Sequence, residues 1–125
     1  MITISNTTKK QQPRLPYEAI ATDILGKRYT LSLSFIGATR AKTLNQTYRG
    51  KTYIPNVLSF PLDDTVGEIY INQTVAEREA PKFNLSTRGY IAFLFIHGCL
   101  HLKGHDHGEQ MDKLEQKYLK KYGLK

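Results

Sequence analysis

The sequence predicts a single α+β domain in which a small mixed β-sheet of about four strands is packed with helices. Three observations favour this fold class. The length of 125 residues suits one domain with one core. Strand and helical patterns alternate along the chain without a regular βαβ period. One long helical segment, Ser86–Lys103, contains a stretch that is apolar on all sides, as in a helix buried in the core. We therefore interpret residues 1–125 as one domain.

Four segments have strand patterns. The first two, Met1–Ser5 and Tyr29–Ile36, alternate apolar residues with polar ones, which is typical of a half-buried strand. The third, Val57–Leu62, is a short apolar stretch that leads into a turn. The fourth, Glu68–Asn72, places its two isoleucines on one face. These segments are the strands of the predicted sheet.

Five segments are predicted to be helices. The fourth is the central buried helix, and the glycine that follows it fits a helix C-terminus. The fifth is amphipathic, with acidic residues early and lysines late, as the helix dipole prefers. The five predicted helices are Tyr17–Lys27, Thr39–Arg49, Gln73–Ala80, Ser86–Lys103 and Glu109–Tyr122.

The charge balance indicates the kind of partner. Eighteen Lys and Arg residues against 11 Asp and Glu give a net charge of +7, which points to a polyanion or a membrane surface. The longest apolar run, Tyr90–Ile96, is too short to span a membrane, and the first residues lack the pattern of a secretory signal. The single cysteine, Cys99, excludes an internal disulfide and suits a reducing compartment. We expect a cytoplasmic protein.

All four histidines fall within eleven residues, at the end of the central helix and just beyond it. His97 and His101 are four residues apart, so that a helix directs both imidazoles to one spot. Cys99 lies about 200° around the helix axis from His97, so we interpret it as a small core residue rather than a ligand.

A third ligand has to come from the following turn. Gly104 allows the chain to leave the helix and fold back, which brings either His105 or His107 to the same spot. The spacing does not choose between these two. Three neutral imidazoles suit Zn²⁺ and leave a fourth position open to water, as in catalytic sites. Asp106 is placed to hold a ligand imidazole through its second nitrogen.

The residue beside the first histidine argues against a peptidase. Zinc proteases with the HExxH motif place a glutamate there as general base. Here the position is Gly98, which has no side chain to accept a proton. A water molecule activated by the metal is then the expected nucleophile, because bound water can titrate near pH ~7.

Three blocks of this sequence resemble the YbeY family, the bacterial rRNA maturation factors regarded as metal-dependent endoribonucleases. The segment His97–His107 matches the family signature H-G-x-L-H-L-x-G-x-D-H. Leu44–Lys51, followed by Asn56–Pro61, is similar to the family's L-N-x-x-Y-R-x-K block and its V-L-S-F-P block. Gly67–Ile71 resembles the family's G-D-I-x-I.

The resemblance implies a role for individual residues. His97, His101 and His107 would bind one Zn²⁺ per chain, with His97 also part of the catalytic centre. His105 falls on a variable position of the signature. Arg49 matches the functional arginine of the family, and a guanidinium there could stabilise the charge on a phosphate.

The sequence also departs from the family pattern. Thr52 stands where an aspartate is common, Ile54 and Pro55 replace the usual Pro-Thr, and Glu68 replaces an aspartate. The first two departures affect the loop 50–56 and leave the ligand set unchanged.

Other basic and aromatic residues are candidates for RNA contact. Arg40, Lys42 and Lys51 flank Arg49 and are expected to line a groove. The lysines of the last helix and tail are expected to form a solvated face. These are Lys113, Lys117, Lys120, Lys121 and Lys125. The tyrosines expected to be exposed are Tyr48, Tyr53 and Tyr70.

The histidine cluster, Arg49 and the basic charge favour a zinc-dependent endoribonuclease that cuts single-stranded RNA. The resemblance implies that it acts in rRNA maturation, through small-subunit rRNA 3′-end processing, and in ribosome quality control. Its expected partners are rRNA and the small ribosomal subunit or its assembly factors, with a monomer as the default. One alternative is a non-catalytic ribosome-assembly factor with a structural metal. The other is a metallohydrolase of a different substrate, such as a peptide, which Gly98 disfavours.

Overall fold

The β-sheet has four strands in the order β1-β2-β4-β3. The computed structural model describes all of residues 1–125, and its strands are β1 (Ile2–Asn6), β2 (Thr30–Ile36), β3 (Val57–Asp63) and β4 (Val66–Asn72). Strands β1, β2 and β4 are parallel, whereas β3 is antiparallel to β4. The sheet is therefore mixed, as the sequence predicts.

Five α-helices surround the sheet. They are α1 (Tyr17–Leu25), α2 (Ala38–Arg49), α3 (Gln73–Glu79), α4 (Thr87–Lys103) and α5 (Glu109–Lys121). Each begins and ends within two residues of its predicted range. None of them combines the length and the apolar composition that crossing a membrane requires.

The main core lies between one face of the sheet and the helices α1, α4 and α5. Helix α4 is buried around most of its circumference, which explains why its sequence lacks a polar stripe. From the sheet, Leu31, Leu33 and Phe35 of β2 and Ile69 and Ile71 of β4 pack into this core. The helix that carries the histidines is thus fixed by the sheet.

Helix α2 lies on the other side of the sheet. Successive strand residues point to opposite faces, so Tyr70 points away from the face of Ile69 and Ile71. The ring of Tyr70 lies 6.0 Å from that of Phe60, which lies 5.6 Å from that of Tyr48 on α2. Tyr70 is therefore half-buried rather than exposed, because this cluster of rings covers it.

Candidate metal centre and groove

Three histidine side chains converge at the C-terminal end of α4. The Nε2 atom of His101 lies 3.1 Å from Nε2 of His97 and 3.2 Å from Nε2 of His107. One ring nitrogen from each histidine lies within 4.8 Å of those of the other two, so the group could hold a metal ion. Two ligands 2.0–2.1 Å from one tetrahedral metal ion are about 3.3–3.4 Å apart, so the separations in the group are close to what a single ion requires.

The end of α4 explains how the third histidine reaches the other two. Gly104 adopts a left-handed conformation, with φ of 107°, and its N–H donates to the carbonyl of His101. The N–H of His105 donates to the carbonyl of Leu100, which fixes the reversal of the chain. His107 then faces the pair on the helix, and His105 is not part of the group.

Cys99 lies in the core, away from the histidines, as its position on the helix predicts. Its side chain is fully buried and forms no disulfide. Burial raises the pKa of the thiol, so that it stays protonated at neutral pH. Only the thiolate is a good metal ligand, and Cys99 is therefore unsuited to that role.

A buried carboxylate supports His97 from behind. Oε2 of Glu115, on α5, lies 2.6 Å from Nδ1 of His97. A carboxylate only accepts, so Nδ1 carries the proton and Nε2 presents its lone pair to the other histidines. Asp106, which the sequence suggests for this role, is instead exposed on the turn, and the partner of His97 is Glu115.

The surroundings of His101 favour its neutral form. Desolvation by burial lowers the pKa of His101, and the positive charges that His97 and His107 can carry lower it further. A neutral imidazole is the form that binds a metal, so burial and clustering both prepare His101 for a ligand role.

A groove of about 620 Å³ runs alongside the histidines and brings them together with Arg49. One wall is formed by the end of α4, and the other by β3 and the loop before it. Its lining residues include Arg49, Tyr53, Asn56, Ser59, Pro61 and the three histidines. Arg40, Lys42 and Lys51 do not line it, contrary to expectation, and all three are exposed to solvent.

Arg49 is held in the groove by a buried amide that the sequence analysis missed. Nη1 of Arg49 donates to Oδ1 of Asn45, 3.2 Å away, and also contacts the hydroxyl of Tyr53 at 3.3 Å. Asn45 is fully buried, and its Nδ2 donates to the carbonyl of Tyr53 at 3.0 Å. The amide therefore joins the arginine to the loop that forms one wall of the groove.

The chain is similar to one known family along nearly its whole length. The sequence profile of the family described as Endoribonuclease YbeY matches residues 3–123. This chain belongs to the YbeY family of endoribonucleases. The three histidines of the group and Arg49 all lie inside the matched region.

Individual relatives support the assignment to this family. An Endoribonuclease YbeY of Helicobacter pylori strain Shi470 is 36% identical over 132 residues, which cover 99% of this chain and 93% of that protein. An Endoribonuclease YbeY of Mycoplasma mycoides is 37% identical over 94 residues, 66% of this chain and 57% of that protein. The match thus spans little more than half the length of the Mycoplasma protein. The solution structure of a Thermotoga maritima protein has a TM-score of 0.70 and 28% identity, with 98% of this chain and 89% of that one covered.

Asn56, the last residue of the loop 50–56, is held by hydrogen bonds. Nδ2 of Asn56 donates to Oε1 of Glu79 at 2.9 Å, and the hydroxyl of Tyr90 donates to the same oxygen at 2.9 Å. Desolvation and this bond raise the pKa of Tyr90 to about 12. These bonds fix the end of the loop where it enters β3.

Gly98 has a packing role. It is buried on the side of α4 that faces β4, and a Cβ atom added there would lie 3.0 Å from Cδ1 of Ile69. A side chain at this position would require the end of the Ile69 side chain to move by a few tenths of an ångström. The close packing of helix and sheet therefore favours glycine at this position.

Proposed function

We propose that residues 1–125 act as one zinc-dependent endoribonuclease domain that cuts single-stranded RNA. His97, His101 and His107 would bind one Zn²⁺, and Arg49 would bind the phosphate of the bond that is cut. The observation that carries this proposal is the groove that the histidine group shares with the one arginine in its lining.

The residues of the site have complementary tasks. Arg49 stays charged at any physiological pH, and its planar group can bind two phosphate oxygens and offset the negative charge that grows on them. Glu115 holds His97 in one tautomer and orientation. When bound, zinc supplies a water of lowered pKa as nucleophile and polarises the phosphate.

The context we propose is rRNA maturation in the cytoplasm, with small-subunit rRNA 3′ ends as substrate and a further role in ribosome quality control. The small ribosomal subunit or its assembly factors would be the protein partners. The net charge of +7 supports an RNA partner, since cations that neutralise phosphates release counterions on binding.

A structural metal in a non-catalytic assembly factor is the alternative. Structural zinc sites are usually closed by four protein ligands. Here three histidines line a groove, and the third of them, His107, is exposed. This favours the catalytic interpretation.

The test compares three proteins of measured zinc content: the wild type, His101→Ala and His105→Ala. The third is a matched control, because His105 lies in the same segment but outside the histidine group. We expect the wild type and His105→Ala to bind one zinc and cut a single-stranded RNA, and His101→Ala to lose both. Zinc-loaded wild type that leaves this RNA intact, or His101→Ala that cuts it as well as the wild type, would contradict the proposal.

A further inference from the structure

Exposed apolar side chains gather in the segment that frames the groove. Four of the seven large apolar residues exposed to solvent lie between positions 48 and 62: Tyr48, Tyr53, Ile54 and Leu62. Tyr48 is 69% exposed and Tyr53 is 54% exposed. Single exposed apolar residues are common, but a group beside a binding groove indicates an interaction surface.

The same part of the chain is purely basic. Residues 24–62 contain no Asp or Glu. Their six cations are Lys27, Arg28, Arg40, Lys42, Arg49 and Lys51. Exposed aromatic rings combined with cations are the features by which proteins bind single-stranded nucleic acid, because rings stack on bases and cations bind phosphates. The charge favours RNA over an apolar protein surface as the occupant.

One of the two exposed rings faces the groove. Tyr53 lines the groove, and its hydroxyl lies 3.3 Å from Nη1 of Arg49. Tyr48 packs instead on Phe60, with the two planes tilted by 57°. Ser59 and Pro61, on either side of Phe60, line the groove, so Phe60 and Tyr48 lie on the opposite face of β3. Tyr53 is therefore the exposed ring that a strand bound by Arg49 can reach.

We propose that Tyr53 is the stacking platform for a base of a single-stranded RNA whose phosphate is bound by Arg49. This inference rests on the proposed function and extends it to the residue that selects single strands. In a duplex the bases stack on one another and are not free to stack on side chains. A base stacked on Tyr53 therefore favours single strands over duplexes.

The first experiment uses the absence of tryptophan from the chain. Tyr53→Trp introduces one indole, whose fluorescence a stacked base quenches. Tyr48→Trp and Phe83→Trp are the controls, because both residues are exposed and neither lines the groove. The zinc-loaded proteins are titrated with a 2′-O-methyl oligouridylate, and with the same strand in a duplex. We expect quenching at position 53 by the single strand only, and none at positions 48 and 83.

The second experiment separates the ring from its hydroxyl. Tyr53→Ala should weaken binding of this oligouridylate about 5- to 150-fold, the range measured for loss of one stacked base, whereas Tyr48→Ala should not weaken it. Tyr53→Phe keeps the ring but not the contact with Arg49, and should regain most of the affinity that Tyr53→Ala loses. Melting temperatures show whether each variant folds.

The results distinguish this inference from the proposed function. If the wild type cuts RNA but the indole at position 53 is not quenched, or Tyr53→Ala binds as the wild type does, the stacking proposal is wrong. Equal quenching by duplex and single strand, or quenching at position 48 or 83, also overturns it. If quenching and weakened binding are seen without cleavage, the stacking proposal stands and the proposed activity fails.

Discussion

Nδ1 of His97 on α4 and Oε2 of Glu115 on α5 lie 2.6 Å apart, although the two residues are 18 positions apart in the chain. Glu115 is 3% exposed, and this is the only hydrogen bond of its side chain. A buried carboxylate is unfavourable unless it is paired. The last helix therefore belongs to the site without providing a ligand, because its position fixes the orientation of His97.

The first prediction concerns this pair. Glu115→Gln keeps the shape of the side chain but removes the charge that favours the Nδ1-protonated form of His97. We expect zinc affinity to fall about 10- to 100-fold, as for other partners of ligand histidines. Competition with a chromogenic chelator at fixed pH measures the zinc affinity. Asp112→Asn is the control, since Asp112 is an exposed acid on the same helix. Equal affinities for the wild type and Glu115→Gln would exclude this role.

The sequence contains a signal for Glu115 but not for its partner. Met111 and Leu119 lie four residues before and after it, and all three are buried. An acidic residue on an apolar stripe is expected to be buried against a partner. The periodicity of the sequence is enough to identify that acidic residue. The identity of that partner depends on how α5 packs against α4, and no local pattern encodes such packing.

The elements themselves could be predicted because each has local periodicity, but their arrangement could not. Strand β4 lies between β2 and β3, an order set by long-range packing. In the same way, His97 and His101 follow from helix pitch, whereas the choice of His107 over His105 depends on the geometry of the turn at Gly104. Arg49 is held in the groove by hydrogen bonds to Asn45 and Tyr53, and these contacts depend on how the loop after α2 folds.

The second prediction separates the two contacts of Asn45. Asn45→Asp keeps an acceptor for Arg49 and loses the donor to the carbonyl of Tyr53, whereas Asn45→Leu loses both. Leaving such a buried partner unpaired costs about 1–3 kcal/mol. We expect both variants to unfold at lower denaturant concentration, and Asn45→Leu to show the larger loss of kcat. Gln46→Ala, at the exposed neighbouring position, is the control and should change neither stability nor kcat. Identical kcat values for Asn45→Asp and Asn45→Leu would exclude a role of Asn45 through Arg49.

The third prediction concerns removal of the metal. The core of 23 buried residues does not include the histidines, so the fold has a source of stability that is independent of metal. Chelation should abolish RNA cleavage while the far-ultraviolet circular dichroism spectrum stays unchanged. Added zinc should stabilise the protein by about 2.7 kcal/mol at a concentration 100 times its Kd. Unfolding of the chain on chelation would instead support the structural-metal alternative.

The fourth prediction concerns two residues of the core near β4. The hydroxyl of Tyr29 is buried without a hydrogen-bond partner, and a Cβ atom added to Gly67 would meet this oxygen at 2.3 Å. Removing an unpaired buried hydroxyl is favourable, so Tyr29→Phe should raise the free energy of unfolding by about 1 kcal/mol. Gly67→Ala should lower it by about 1–3 kcal/mol, because the methyl group overpacks the site.

The two substitutions should not be additive, because they act on the same space. The Tyr29→Phe variant lacks this oxygen. In it, Gly67→Ala should lower the free energy of unfolding by at least about 0.5 kcal/mol less than in the wild type, which is roughly the smallest coupling expected of residues in contact. Urea unfolding of the two single variants and the double variant measures this difference. The control combines Tyr29→Phe with Ala41→Gly. Ala41 lies in the buried face of α2, on the other side of the sheet, so the effects of these two substitutions on the free energy of unfolding should be additive. If Gly67→Ala costs the same in both backgrounds, the hydroxyl is not what excludes a side chain at position 67.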